Sequence, residues 1–334
     1  MTQFPFNIYL AGFASAFLAG TIGMLLWRRL GYLYGWVDAP GERKIHSVPI
    51  ALTGGMGVIT GILFPIVGGI IALFLWPGLN ELLGITTGLK DLFIYGFQRR
   101  GGQLGVVLLG AIGMLLLGWV DDRIELKPGA KFCGQLLIAA TVAAAGVRIT
   151  LFVPNLLFSY LVTILWILTI TNAFNFMDNM NGLCAGLGVV ALWSCAWAAA
   201  VNGQFLVATF AFLLCGALFS FIPFNFPSAS IFLGDSGSHL TGFLAAVMSI
   251  LPSFYSAEVT HRLTVVTPLL LLFIPLLDLV SVVIIRWKNG KAFYIGDNNH
   301  LSHRLVRHGY SKSFAVLILL LCSAFLSAAS FLLR

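Results

Sequence analysis

Long apolar runs alternate with short polar connections along the whole chain. A helix needs about 20 apolar residues to cross a hydrocarbon layer about 30 Å thick. By that measure ten spans are predicted, some of them short: 7–27, 53–76, 103–120, 131–146, 156–174, 182–200, 203–222, 237–252, 263–285 and 313–333. Only the connections at 28–52, 77–102 and 286–312 have room for ordered structure, so no separate soluble domain is expected. The pattern predicts one polytopic domain over residues 1–334. It would be an all-α integral membrane bundle of about ten transmembrane helices, with active-site loops on the cytoplasmic side.

Composition supports the membrane reading, because 59% apolar and 9% charged residues leave too little polar surface to cover a soluble protein of 334 residues. Lys and Arg are retained on the cytoplasmic side. One orientation of the ten spans places thirteen basic residues inside and six (Lys90, Arg99, Arg100, Arg148, Arg262, Arg334) outside. Both termini then lie outside the cytoplasm. The first positive pair, Arg28-Arg29, follows the first apolar run instead of preceding it, so that run is expected to stay as a helix and not to be cleaved. The net charge of +7 is spread over membrane loops; topology and anionic membrane lipids account for it, and nucleic acid is not an expected partner. Five scattered cysteines show no zinc or disulfide spacing and read as small core residues. Gly12, Gly20, Gly61, Gly110 and Gly113 read as places of close helix packing.

The chemistry-bearing residues gather in five clusters, all at the predicted cytoplasmic ends. Lys44 and His46 lie in the first long connection. Asp121-Asp122 close the third span, where adjacent carboxylates repel unless cations or substrate offset them; the pair is either a base or cation site or a solvated helix end. Asn172, Asn175 and Asp178 recur every third residue, with Asn181 extending the stripe along one helix face. Such oxygen donors suit Mg²⁺, or an interhelical hydrogen-bond network. Gly234-Asp235-Ser236-Gly237 allows a phosphate or metal to approach the backbone, or simply caps a helix. His300, His303 and Arg304 belong to the densest cationic segment and could clamp phosphates. Asp278, inside the ninth span, should be costly unless paired and reads as structural.

Taken together these motifs resemble the polyprenyl-phosphate N-acetylhexosamine-1-phosphate transferase family. The resemblance runs from Val37-Asp38-Ala-Pro40 through Arg43-Lys44-Ile-His46 and Thr53-Gly54-Gly55 to Asp297-Asn-Asn-His300. It implies an enzyme of the bacterial inner membrane. That enzyme transfers a sugar 1-phosphate from a UDP-N-acetylhexosamine to undecaprenyl phosphate, releasing UMP, and starts a surface polysaccharide such as O-antigen or a cell-wall polymer. It also implies Mg²⁺, with Mn²⁺ as a substitute, and leaves room for a homodimer. By resemblance Asp235 and Asn175 would hold the metal, and Asp121 and Asp122 would bind or deprotonate the lipid phosphate. Asp178 would act as nucleophile or position the uridine. Lys44, His46, Lys131, Asn172, Asn181, His300, His303 and Arg304 would contact substrate.

Two departures stand out: Asn181 replaces the Asp usual in bacterial members, and Ser302 removes the middle imidazole of the His segment. The ending His303-Arg304-Leu305 resembles the branch using UDP-N-acetylglucosamine. The muramoyl-pentapeptide transferase is the alternative within the family, and a cation- or proton-coupled transporter the alternative outside it. A transporter predicts charges near the bilayer midplane, whereas these motifs are one-sided, and the halves show no evident repeat.

Overall fold

The structure, a computed structural model, describes residues 5–40, 48–75, 78, 87–151, 153–252, 265–292 and 297–333. Lys44 and His46 lie outside the described residues. The chain is predominantly helical: α1 (Phe6–Leu33), α2 (Gly54–Leu75), α3 (Thr87–Ile124), α4 (Pro128–Ala144), α5 (Leu156–Met177), α6 (Leu183–Val201) and α7 (Phe205–Phe219) come first. They are followed by α8 (Ile222–Asn225), α9 (Gly234–Met248), α10 (Thr267–Leu271), α11 (Phe273–Lys288), α12 (Leu301–Arg307) and α13 (Lys312–Ser330). Among the described residues seven helical segments are long and apolar enough to cross a membrane: α1, α2, α3, α5, α6, α7 with α8, and α13. The protein is therefore a multi-pass membrane protein.

Three predicted spans correspond to helices shorter than these. α4 has 17 residues, α9 has 15 and α11 has 16. α9 is buried at every residue except Asp235 and packs against α2, α3, α5 and α6. A helix shielded on all sides need not present an apolar face to lipid, so α9 can carry Ser236, Ser238, His239 and Thr241. The ninth predicted span is broken into α10 and α11, because Pro275 has no N–H to offer the carbonyl of Leu271.

The third span starts earlier than predicted. Residues 87–102, read from sequence as part of a connection, continue α3 as one 38-residue helix. Lys90, Asp91, Arg99 and Arg100 lower the local hydropathy without breaking the helix.

The all-α expectation needs one addition, a three-stranded sheet of β1 (Val37–Asp38), β2 (Ile50–Leu52) and β3 (Ile231–Phe232). β1 and β2 are antiparallel, pairing Asp38 with Ile50, while β2 and β3 are parallel, pairing Ala51 with Ile231 and Leu52 with Phe232. The sheet ties the α1–α2 connection to the segment that enters α9.

The glycine reading holds where helices cross. A Cβ on Gly61 would lie 2.9 Å from the Ala16 carbonyl oxygen, and one on Gly110 would lie 2.6 Å from Phe243 Cζ. The cysteine reading holds for only three of five: Cys184, Cys195 and Cys215 are buried, whereas Cys133 and Cys322 are exposed on the outward faces of α4 and α13.

Candidate active site

At one end of the bundle the end of α3 and the starts of α4 and α9 meet. Lys131 on α4 donates to Asp121 Oδ2 at 2.7 Å and to Asp235 Oδ2 at 2.8 Å. A single ammonium thus bridges carboxylates from two other helices. The other oxygen of Asp121 accepts the backbone N–H of Leu126 at 2.8 Å, which fixes the turn out of α3. Asp122 is committed differently: its two oxygens accept the N–H groups of Asp235 (2.8 Å) and Ser236 (3.0 Å). It anchors the amino end of α9, where the helix dipole favours a carboxylate. The close approach depends on two glycines. Gly234 has φ +71°, and a Cβ there would lie 2.8 Å from Asp122 Oδ2. A Cβ on Gly118 would collide with the backbone of Asp235.

The Asn/Asp stripe is divided by the end of α5. Asn172 points into the bundle and donates to Gln135 Oε1 at 2.7 Å and to the Leu168 carbonyl at 2.8 Å. Asn175 donates from Nδ2 to Asp235 Oδ1 (2.8 Å) and Ser238 Oγ (2.9 Å), joining the carboxylate cluster. Helix geometry ends at Met177 and the chain turns through Gly182, at φ +78°, into α6, so Asp178 and Asn181 leave the stripe. Both line a cavity of about 600 Å³ instead, with Asp38, Gly234, His303 and Lys312 on its walls. Asn181 Nδ2 donates to the Pro227 carbonyl at 3.1 Å.

Asp178 is exposed on the wall of this cavity. Desolvation by the surrounding protein, with the charges of Asp235 and Asp122 adding to the effect, pushes its carboxyl up to about 8.

The histidine segment forms α12, a short helix where the sequence suggested a loop. His300 Nδ1 and Asp278 Oδ2 are 2.7 Å apart, and the N–H of Leu301 donates to Asp278 Oδ1 at 2.6 Å. Asp278 is 0% exposed, and this pairing is what makes its burial tolerable. Phe176 packs edge-on to His300 (5.9 Å between centroids), with the Arg286 guanidinium over the Phe176 ring at 4.9 Å. Arg286 in turn approaches Asp297 at 3.4 Å. Burial works to raise Asp297, but the N–H groups of Asn299 and the Arg286 charge together hold it below the usual carboxylate range. His303 faces the cavity, its imidazolium disfavoured by burial and by the neighbouring His300 and Arg307. Arg304 donates to Ser281 Oγ at 3.1 Å. Ser302, at the position of the missing imidazole, is fully buried and donates to Asn179 Oδ1 at 2.6 Å.

The structure thus brings Asp121, Lys131, Asn175 and Asp235 into one cluster, with Asp122 anchoring it, and sets Asp178, Asn181 and His303 around the adjoining cavity. Asn172, His300 and Arg304 take side-chain partners within the bundle. Sequence reasoning missed the His300 partner, although a carboxylate inside an apolar span was its signal. It also missed Lys312 and Asp38 as cavity residues, since Lys312 stands in no recognisable motif and the Val37-Asp38-Ala-Pro40 motif does not show which part of the fold Asp38 meets. His239 was missed as well. It is fully buried one turn beyond Asp235, and neither ring nitrogen has a hydrogen-bond partner among the described residues.

A partly buried carboxylate–lysine cluster beside a polar cavity at one end of a helical membrane bundle is the arrangement of a membrane-embedded enzyme. The glycosyl transferase family 4 model matches residues 104–253, from within α3 to just beyond α9. The chain is 32% identical to the decaprenyl-phosphate N-acetylglucosaminephosphotransferase of Mycobacterium tuberculosis, over 93% of this chain and 78% of that protein. It is 29% identical to the probable undecaprenyl-phosphate N-acetylglucosaminyl 1-phosphate transferase of Bacillus subtilis, over 92% and 80%. It is 28% identical to the undecaprenyl-phosphate alpha-N-acetylglucosaminyl 1-phosphate transferase of Salmonella typhi, over 94% and 80%. The chain belongs to the polyprenyl-phosphate N-acetylglucosamine-1-phosphate transferase family and is a phosphoglycosyl transferase.

Proposed function

We propose that the protein transfers N-acetylglucosamine 1-phosphate from UDP-N-acetylglucosamine to undecaprenyl phosphate, releasing UMP and starting a surface polysaccharide. The observation that carries this reading is the Lys131 bridge between Asp121 and Asp235 beside the cavity. An oxygen of the lipid phosphate attacks the sugar-bearing phosphorus, the bond to the bridging oxygen breaks, and UMP leaves. Both reactants are anionic, so the site must supply positive charge as well as hold the nucleophile. The names of the relatives favour N-acetylglucosamine over the muramoyl-pentapeptide substrate.

Asp235, with Asp121 and Asn175 beside it, offers oxygen donors that fit Mg²⁺ or Mn²⁺. Such an ion, when bound, neutralises the diphosphate. Among the described residues no group of three or more His, Cys, Asp or Glu side chains is disposed to hold a metal. A site with few protein ligands suits Mg²⁺, which keeps waters and takes substrate phosphate oxygens. Asn175 turns its Nδ2 toward Asp235, so its amide must rotate to serve as a ligand.

The chain's own residues then divide the work. Asp122 fixes the start of α9, and Lys131 sets the spacing of Asp121 and Asp235 and neutralises phosphate charge. Asp178, poised near neutrality, takes up or gives a proton at the cavity wall. The Asp278–His300 pair holds the start of α12, beside the His303 ring that lines the cavity. In this reading ten crossings place the site on the cytoplasmic face of the bacterial inner membrane, with both termini outside. Purified protein given undecaprenyl phosphate, UDP-N-acetylglucosamine and Mg²⁺ should release UMP, and chelation should abolish it. Undiminished release without divalent metal would overturn the metal assignment.

A further inference from the structure

At the far end of the bundle a second cavity, of about 360 Å³, lies between α3 and the turn joining α6 to α7. Its α3 wall carries Tyr95, Arg99 and Arg100, and its other wall is largely apolar, with Phe205 and Leu206. The two arginines are held in place by neutral acceptors. Arg99 Nη1 donates to the Tyr95 hydroxyl at 3.2 Å, and Arg100 Nη1 donates to Gln103 Oε1 at 2.8 Å. Gln103 is itself tethered, donating from Nε2 to the Gly146 carbonyl at 3.1 Å. Among the described residues neither guanidinium has a carboxylate within ion-pair distance.

The depth of this cavity is informative. Arg100 and Asp121 are twenty-one residues apart on one continuous helix, about 31 Å at 1.5 Å per residue. That is close to the thickness of the hydrocarbon layer, about 30 Å. The cavity therefore sits at the opposite membrane interface from the carboxylate cluster, at headgroup level. A pre-positioned pair of cations above an apolar trough at that level matches an amphiphile with an anionic head and hydrocarbon tails.

We propose that this cavity binds an anionic glycerophospholipid of the opposite leaflet. Arg99 and Arg100 hold its phosphate, Tyr95 sits at the headgroup boundary, and an acyl chain lies along Phe205 and Leu206. An arginine that merely snorkels toward headgroups would need neither the cavity nor the Gln103 tether. The site is separate from the transferase chemistry, so it stands or falls independently of the substrate assignment.

The test uses the full chain in phosphatidylcholine vesicles doped with a photoreactive phosphatidylglycerol, with crosslinked peptides mapped by mass spectrometry. Labelling should concentrate in residues 92–100 and 203–207, be competed by unlabelled phosphatidylglycerol, and be competed at least five-fold less well by added phosphatidylcholine of a distinguishable chain length. Arg99→Gln/Arg100→Gln should lose at least five-fold of that labelling, and Arg99→Lys/Arg100→Lys should retain more of it, both with UMP release within two-fold of the parent. Labelling unchanged in the Gln variant would overturn the proposal, as would equal competition by phosphatidylcholine. Undecaprenyl phosphate competing ten-fold better than phosphatidylglycerol would assign the cavity to another lipid phosphate and overturn the proposed occupant. The competition arms need only the parent protein, so they decide the matter even if a variant fails to fold.

Discussion

Asp278 takes two donors at once, the ring of His300 and the backbone of Leu301, from a place no water reaches. In Asp278→Asn the amide can still accept from Leu301, but its NH₂ then faces His300 Nδ1 and forces the imidazole into the other tautomer. UMP release should fall by about ten-fold or more through kcat, with a stability loss of about 1–3 kcal/mol. An unchanged kcat would show that His300 does not act through this partner. Asp178 sets a different expectation, because its folded carboxyl is raised to about 8. The unfolded chain gives up this proton near pH 4 while the folded chain keeps it, so Asp178 contributes stability below pH 4 that is lost as pH rises toward 8. Melting curves from pH 5 to 8 should therefore show Asp178→Asn gaining on the parent as pH rises; a constant gap would refute the raised carboxyl. At this scale the sequence was partly legible. Asp121, Asn175 and Asp235 stand in local motifs, whereas Lys312 and Asp38 reach the cavity only through tertiary structure, which motif spacing does not encode.

Helix α9 shows what apolar patterning can and cannot reveal about elements. Its position was readable because a membrane excludes unpaired backbone, so any run near the right length becomes a helix. Its shortness and polarity were not, because they depend on the helices that shield it. The early start of α3 was hidden for the opposite reason, since charges that mark a connection in a hydropathy window also suit a helix continuing beyond the hydrocarbon. The α3–α9 contact is the most exacting packing in the site. Gly118→Ala would press a methyl group into the backbone at Asp235, which cannot yield without moving α9. The expected cost is about 1–3 kcal/mol, with a ten-fold or greater loss of UMP release. A variant with parental melting temperature and turnover would mean that the two helices have slack.

For the whole molecule, the sequence clusters that lie within the described residues gather toward one end of the bundle, where the carboxylate cluster and the cavity adjoin, while the Lys44/His46 cluster lies outside the described residues. Which face of the membrane that end occupies is a question of topology. The excess of Lys and Arg in the connections there predicts the cytoplasm. An alkaline phosphatase fused to the carboxyl terminus should then be active and a fluorescent protein at the same place dark, and the reverse pattern would overturn the ten-crossing topology. The parallel pairing of β2 with β3 also bears on how the enzyme is made. Ala51 must wait for Ile231, which follows it by 180 residues. At roughly 5–20 residues per second, synthesis leaves that partner missing for on the order of ten seconds or longer. Most of the helices are inserted during that interval, while the floor of the cavity is still open. A nascent chain interrupted before residue 231 thus lacks both Asp235 and the strand that β2 pairs with, and on the proposed reading UMP release becomes a report that biogenesis has run past α8.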